Sequence, residues 1–170
     1  LFYSDERGNI MALASIKEHL VELKIFHSDT TIGGYPSAVG YEKQFRWSWI
    51  ATQLNCFVIA VDMGDSPITS DSFETLFPES YAYAKEHYKG WPRGFQSGLG
   101  VMLILVGSDV TQEAQDYCIQ LEAGKKWAGF SIPLAKSTSD SESYCFAKKP
   151  AWGRIYYGYF EELAHKVLGR

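Results

Sequence analysis

Cysteine is scarce in this 170-residue chain: Cys56, Cys118 and Cys145 stand far apart, with no C-x-x-C spacing. That pattern excludes a disulfide framework and a zinc ribbon, and reads as buried free thiols in a reducing compartment. No apolar run approaches the roughly 20 residues that span a bilayer as a helix, no stretch reads as a signal peptide, and no asparagine lies in an N-x-[S/T] sequon. A cytoplasmic location is the expectation. A basic excess is also missing. Sixteen Lys and Arg face 20 Asp and Glu, for a net charge of −4, and the longest basic clusters are Lys125-Lys126 and Lys148-Lys149. With little cationic surface to displace counterions, no nucleic-acid partner is expected.

The familiar catalytic signatures are absent too. His19, His27, His87 and His165 form no H-E-x-x-H, stand nowhere at i, i+4, and have no cysteine at zinc spacing. The stretch from Gly94 to Gly100 is neither G-x-S-x-G nor a dinucleotide fingerprint, because it leads into a strand instead of joining strand to helix. Glu22-Leu23-Lys24 has the acid and lysine of some nuclease sites, but it falls late in an amphipathic helix, where both read as surface residues.

What the chain does have is two uncharged apolar runs, 56–61 and 100–106, each followed by acid: Asp62 with Asp65, and Asp109. Each is strand-length, rich in branched residues and without polar alternation, so both faces are expected to be covered. Helical patterns surround them. Residues 9–25 carry Ile10, Leu13, Ile16, Leu20 and Leu23 at spacings of three and four. Asp71, with Glu74, reads as the cap of a short helix, and Pro78 as the start of a second segment. Thr111 caps a third helix that Gly124 closes, and 154–168 form the last, burying Tyr156, Tyr159, Phe160, Leu163 and Val167. Between 30 and 40, Gly33-Gly34 and Tyr35-Pro36 signal turns. Phe45 to Ile50 alternates aromatic and polar residues, as a half-exposed strand would. Residues 128–135 and 142–147 read as a final hairpin. No internal repeat or low-complexity segment interrupts this order.

The fold class that follows is α/β: a single three-layer domain over residues 1–170. It has a mixed sheet with a central parallel βαβ unit, antiparallel flanking strands and helices on both faces.

Two functional readings compete. In such sheets ligands favour the carboxyl ends of the strands. Asp62, Asp65 and Asp109 there are candidate ligands for Mg²⁺, as in a metal-assisted hydrolase of phosphoesters. The alternative for the same acids is turn shaping and helix capping. The second functional reading is a non-catalytic or regulatory module, without cofactor, that binds a protein partner or a small molecule through aromatic-rich loops. The chain has 5 Trp, 11 Tyr and 10 Phe, many near loops, including Tyr35, Tyr41, Trp91, Phe95, Trp127 and Trp152. Its candidate contacts are Arg93, Gln96 and Ser97, donors before the second apolar strand, and Trp152 with Arg154 at the start of the last helix.

Overall fold

The structure, a computed structural model, describes residues 3–92, 97–124, 129–148, 150–151 and 153–170. Six strands form one mixed sheet: β1 (Phe26–Ile32), β2 (Tyr35–Arg46), β3 (Thr52–Asp62), β4 (Ser97–Gly107), β5 (Phe130–Ser137) and β6 (Ser143–Tyr144). Their spatial order is their chain order. The β1–β2–β3 meander and the β5–β6 pair are antiparallel, while β3, β4 and β5 run parallel. The expected βαβ unit is therefore doubled. Its crossovers are α2 (Ser70–Glu86) and α3 (Gln112–Ile119), which lie on one face; α1 (Tyr3–Glu22) and α4 (Arg154–Leu168) cover the other.

The strand period explains the two cores. Leu54, Cys56, Val58 and Ala60 of β3, with Met102, Ile104 and Val106 of β4, pack on α1 and α4. Phe57, Ile59 and Val61, with Val101, Leu103 and Leu105, pack on α2 and α3. A strand buried on both faces needs no polar alternation, which is why these runs are uncharged. No helix among the described residues is long and apolar enough to cross a membrane.

Several local expectations are corrected. Ile10 is 61% exposed, while Ile16 and Leu20 are fully buried. Each step of three residues rotates a helical side chain short of a full turn, so Ile10 lies about 120° from Ile16 and off the stripe. Residues 30–40 are not irregular: they are the β1–β2 hairpin, with Gly33 and Gly34 at φ +58° and +87° in its two-residue turn. β2 ends at Arg46, and the chain reverses through a single 3-10 turn, Trp47–Trp49, before Thr52 pairs back with Arg46. Period two there reflected a turn that throws one tryptophan out and one in. α2 runs unbroken through Pro78, and its cap is Thr69. In the last helix Tyr157 is fully buried and Tyr156 only half-buried. β6 is only two residues long, because Ala147 has already left the sheet to bond Ile119 O at 3.0 Å.

Candidate functional site

The three acids at the carboxyl end lie on two loops that are tied together. Ile68 N donates to Asp109 O at 2.8 Å, and Thr111 N to Ile68 O at 3.0 Å. Ser108 Oγ donates to Asp65 O at 2.8 Å. Within that tie the carboxylates serve their own turns. Asp62 Oδ1 accepts from Gly64 N at 2.8 Å, and Asp109 Oδ1 accepts from Val110 N at 2.8 Å. The cap of α3 is the Thr111 hydroxyl, which accepts from Ala114 N. Among the described residues, no group of three or more His, Cys, Asp or Glu is arranged to hold a metal ion.

At the opposite end of the parallel strands, Ser97 opens β4 beside a buried polar cluster. Asn55 of β3 is fully buried. Its Oδ1 accepts from Tyr41 Oη at 2.7 Å, and its Nδ2 donates to Tyr88 Oη at 3.2 Å and Gln53 Oε1 at 3.3 Å. Ser97 Oγ joins Tyr88 Oη in a short hydrogen bond. Tyr88 in turn donates to Trp91 O at 2.7 Å, and Trp91 N to Gln53 Oε1 at 3.0 Å. The cluster thus pins the segment after α2 to the sheet. Ser97 is a positioning residue in it, with its hydroxyl already engaged. Arg93, Gln96 and Trp152 lie outside the described residues; Arg154 opens α4 and is exposed.

The pinned segment presents an aromatic rim. Phe45, at the end of β2, meets Trp47 edge-on at 5.3 Å and Trp91 at 5.8 Å. Trp47 is 81% exposed and Ile50 80%. Ile50 and Ala51 both hold left-handed backbone, φ 57° and 54°, a conformation that a β-branched side chain resists. The turn is held from below by Trp49, buried on α4, where its Nε1 donates to Ile155 O at 3.0 Å; Ile155 is itself exposed. The guanidinium of Arg46 lies 4.9 Å over the Trp49 ring. The ammonium of Lys43 bonds Lys89 O at 3.2 Å, so cations flank the rim.

Behind the turn, between β2 and α4, is a pocket of about 200 Å³ that sequence reasoning missed. Glu42, Gln44 and Arg46 enter it from one face of β2, and Tyr159, Glu162 and Lys166 from α4. Tyr159 Oη donates to Glu42 Oε1, and Gln44 Nε2 to Oε2 at 3.1 Å. Burial first, then the charges of Cys56 and Glu42, push the Tyr159 phenol far above its ordinary range, so it stays a donor. Burial likewise raises the Cys56 thiol beneath it. The available signal was period two: three polar residues, 42, 44 and 46, on one face of a strand, opposite Cys56, Leu54 and Thr52 of β3. A further edge-on contact brings His27 of β1 within 5.8 Å of His87 at the end of α2. Burial, His87 and Lys89 together lower the pKa of His27.

Compared with family models, with curated proteins and with solved structures, the chain matches none.

Proposed function

We propose that the protein is a non-catalytic binding module whose aromatic rim, at the amino end of the parallel strands, docks a protein partner. The observation that carries this reading is the turn after β2. Two large apolar side chains, Trp47 and Ile50, are about four-fifths exposed, and Ile50 stands on backbone held in an unfavourable left-handed conformation. Strain of this kind persists where surrounding structure enforces it, and it clusters at working surfaces. Tryptophan beside arginine and other aromatics is the composition of interface anchors. A cytoplasmic setting belongs to the same reading, since Cys56 and Cys118 are buried as free thiols. The carboxyl-end acids are turn formers in this account.

The test is site-specific photocrosslinking in cells of the source organism, with the probe at position 47 or 50, or at position 65 or 109 as the opposite-end control. Crosslinks to one defined protein from 47 and 50, absent from 65 and 109, are expected. Equal labelling from both ends, or crosslinks only from 65 and 109, would overturn the assignment.

A further inference from the structure

The end of α2 is joined to the sheet edge through a pair of histidines. β1 is an edge strand whose register slips between Phe26 and Ser28, so His27 sits in a bulge without a partner on β2. Its ring lies 5.8 Å from that of His87, the residue that closes α2. His87 is held in place. Its Nδ1 donates to Tyr83 O at 2.9 Å and its ring stacks on that of Tyr83 at 4.0 Å. Tyr83 Oη and Ser28 Oγ share a hydrogen bond of 2.7 Å, which ties the same turn of helix to β1. A carbonyl only accepts, so Nδ1 carries the proton of neutral His87, and a second proton goes to Nε2.

Tyr83 and His87 face His27 from α2, Tyr41 faces it from β2, and Lys89 acts on it from the segment after α2. No carboxylate is among the groups that act on it. Asp29, two residues along β1, is paired with Lys17 of α1, and Lys85 and Glu86, one of each sign, are exposed before His87. When both rings are charged, two cations stand 5.8 Å apart with Lys89 nearby, and they repel. Tyr41 couples this joint to the rim segment. Its ring meets His27 edge-on at 6.2 Å, while its hydroxyl donates to Asn55 Oδ1 at 2.7 Å and accepts from Lys89 N at 3.3 Å. Two residues on, Trp91 N donates to Gln53 Oε1 at 3.0 Å. The segment 87–91 is thus fastened by the histidines at one end and by the polar cluster at the other. A bulge on an edge strand and the last turn of a helix are parts of a fold that open locally at little cost.

We propose that His27 and His87 form a proton-operated latch: neutral, they hold the end of α2 and the rim segment against the sheet; both protonated, they release it. The sign follows from linkage. Burial, His87 and Lys89 make His27 bind its proton less readily in the folded chain than in the unfolded one. The latch therefore holds fully above about pH 6.5, the ordinary histidine value, and is lost as the pH falls through the lower folded value. That its release controls docking rests on the reading of the rim as the working surface. The latch itself is measured without a partner, so the two fail separately.

The experiment is amide hydrogen exchange of the whole chain by NMR at about pH 7 and about pH 5, corrected for intrinsic rates, with the imidazole signals of His27 and His87 titrated in parallel. The Lys89 and Trp91 amides report the rim segment, and the Ile68 amide, bonded to Asp109 O at 2.8 Å, reports the opposite end of the sheet. Protection at Lys89 and Trp91 should fall at least about fivefold at the lower pH while Ile68 keeps its own, and His27 should titrate below about 6.5. His27→Gln, neutral at every pH, should remove the pH dependence at both amides. Lys89→Gln, at an exposed position, should raise the His27 midpoint and shrink the loss, which keeps the test open if position 27 tolerates no change. Protection that does not change with pH, an equal loss at Ile68, a loss that persists in full in His27→Gln, or a His27 midpoint at or above about 6.5 would overturn the proposal.

Discussion

Gly90 occupies a position that admits no side chain. A Cβ there would lie 2.6 Å from both Asn55 Oδ1 and Tyr88 Oη, inside the cluster that pins the rim segment. Gly90→Ala must therefore displace Asn55 or Tyr88 and leave a buried polar group unpaired. It is expected to cost about 1–3 kcal/mol in urea unfolding. Gly158, on the outer side of α4 with nothing within 4 Å of its would-be Cβ, should behave oppositely. Gly158→Ala is expected to stabilise by about 0.5–1 kcal/mol. If Gly90→Ala proves neutral, the cluster does not hold this segment. The same scale shows where sequence reading stops. Ser97 was visible as a donor beside a buried strand, but Asn55, lodged between Leu54 and Cys56, carries no local sign that four side chains converge on it. The pairing comes from register, Asn55 lying opposite Lys43 on β2 and Leu99 on β4.

Helix α2 carries the element-scale corrections, both with physical causes. Its cap is reciprocal: Ser72 N donates to Thr69 Oγ1 at 3.2 Å, and Thr69 N to Ser72 Oγ at 3.2 Å. This is a capping box with serine in the place where glutamate is usual. Asp71 with Glu74 has the familiar spacing, but the bridge of Ile68 to Val110 fixes where the chain can turn into the helix. Thr69→Ala should then cost about 1 kcal/mol, and Asp71→Ala appreciably less. Pro78 is exposed, and the helix continues through it despite the missing N–H. Pro78→Ala is expected to raise stability, by up to ~2 kcal/mol, once the freer unfolded chain is counted against the gained bond. Circular-dichroism melts of the three variants check all of this. A loss of stability in Pro78→Ala would mean that the proline sets a bend the packing requires. The span of α4 was legible because its apolar stripe is continuous, although Tyr157 and not Tyr156 lies fully buried on it, and β3 and β4 because burial on both faces leaves an unbroken apolar run. The turn at 47–51 was not legible, since a short aromatic alternation fits a strand and a reversal equally well.

Over the whole molecule, exposed apolar side chains gather at one end of the parallel strands, with Phe45, Trp47, Ile50 and Trp91 all exposed there. Asp62, Asp65 and Asp109 follow the carboxyl ends of β3 and β4, while the exposed aromatics lie toward the amino end. Sequence showed the acids because they follow the apolar runs directly. It hid the rim because Phe45, Trp47 and Trp91 meet only once β2 and the end of α2 are brought together. A second property of the whole is its alkaline limit. Burial raises Cys56, Cys118, Tyr117 and Tyr159 above their ordinary values. The folded state thus keeps protons that the unfolded chain releases above about pH 8.5 for thiols and 10 for phenols. Stability from these groups is complete below those values and falls as pH rises through them. Urea midpoints measured from pH 7 to 11 should decline from about pH 8.5 onward, and a flat profile would place these groups in contact with solvent.

The central claim, that the amino-end rim is the working surface, is tested most directly by the affinity of the crosslinked partner for variants at the two ends. Trp47→Ser with Ile50→Ser should weaken binding by about 30-fold or more, the loss of at least ~2 kcal/mol usual for an interface anchor. Asp62→Asn with Asp109→Asn should leave it unchanged, since asparagine forms the same turns. Unchanged affinity in the rim variant, with loss in the acid variant, would contradict the account.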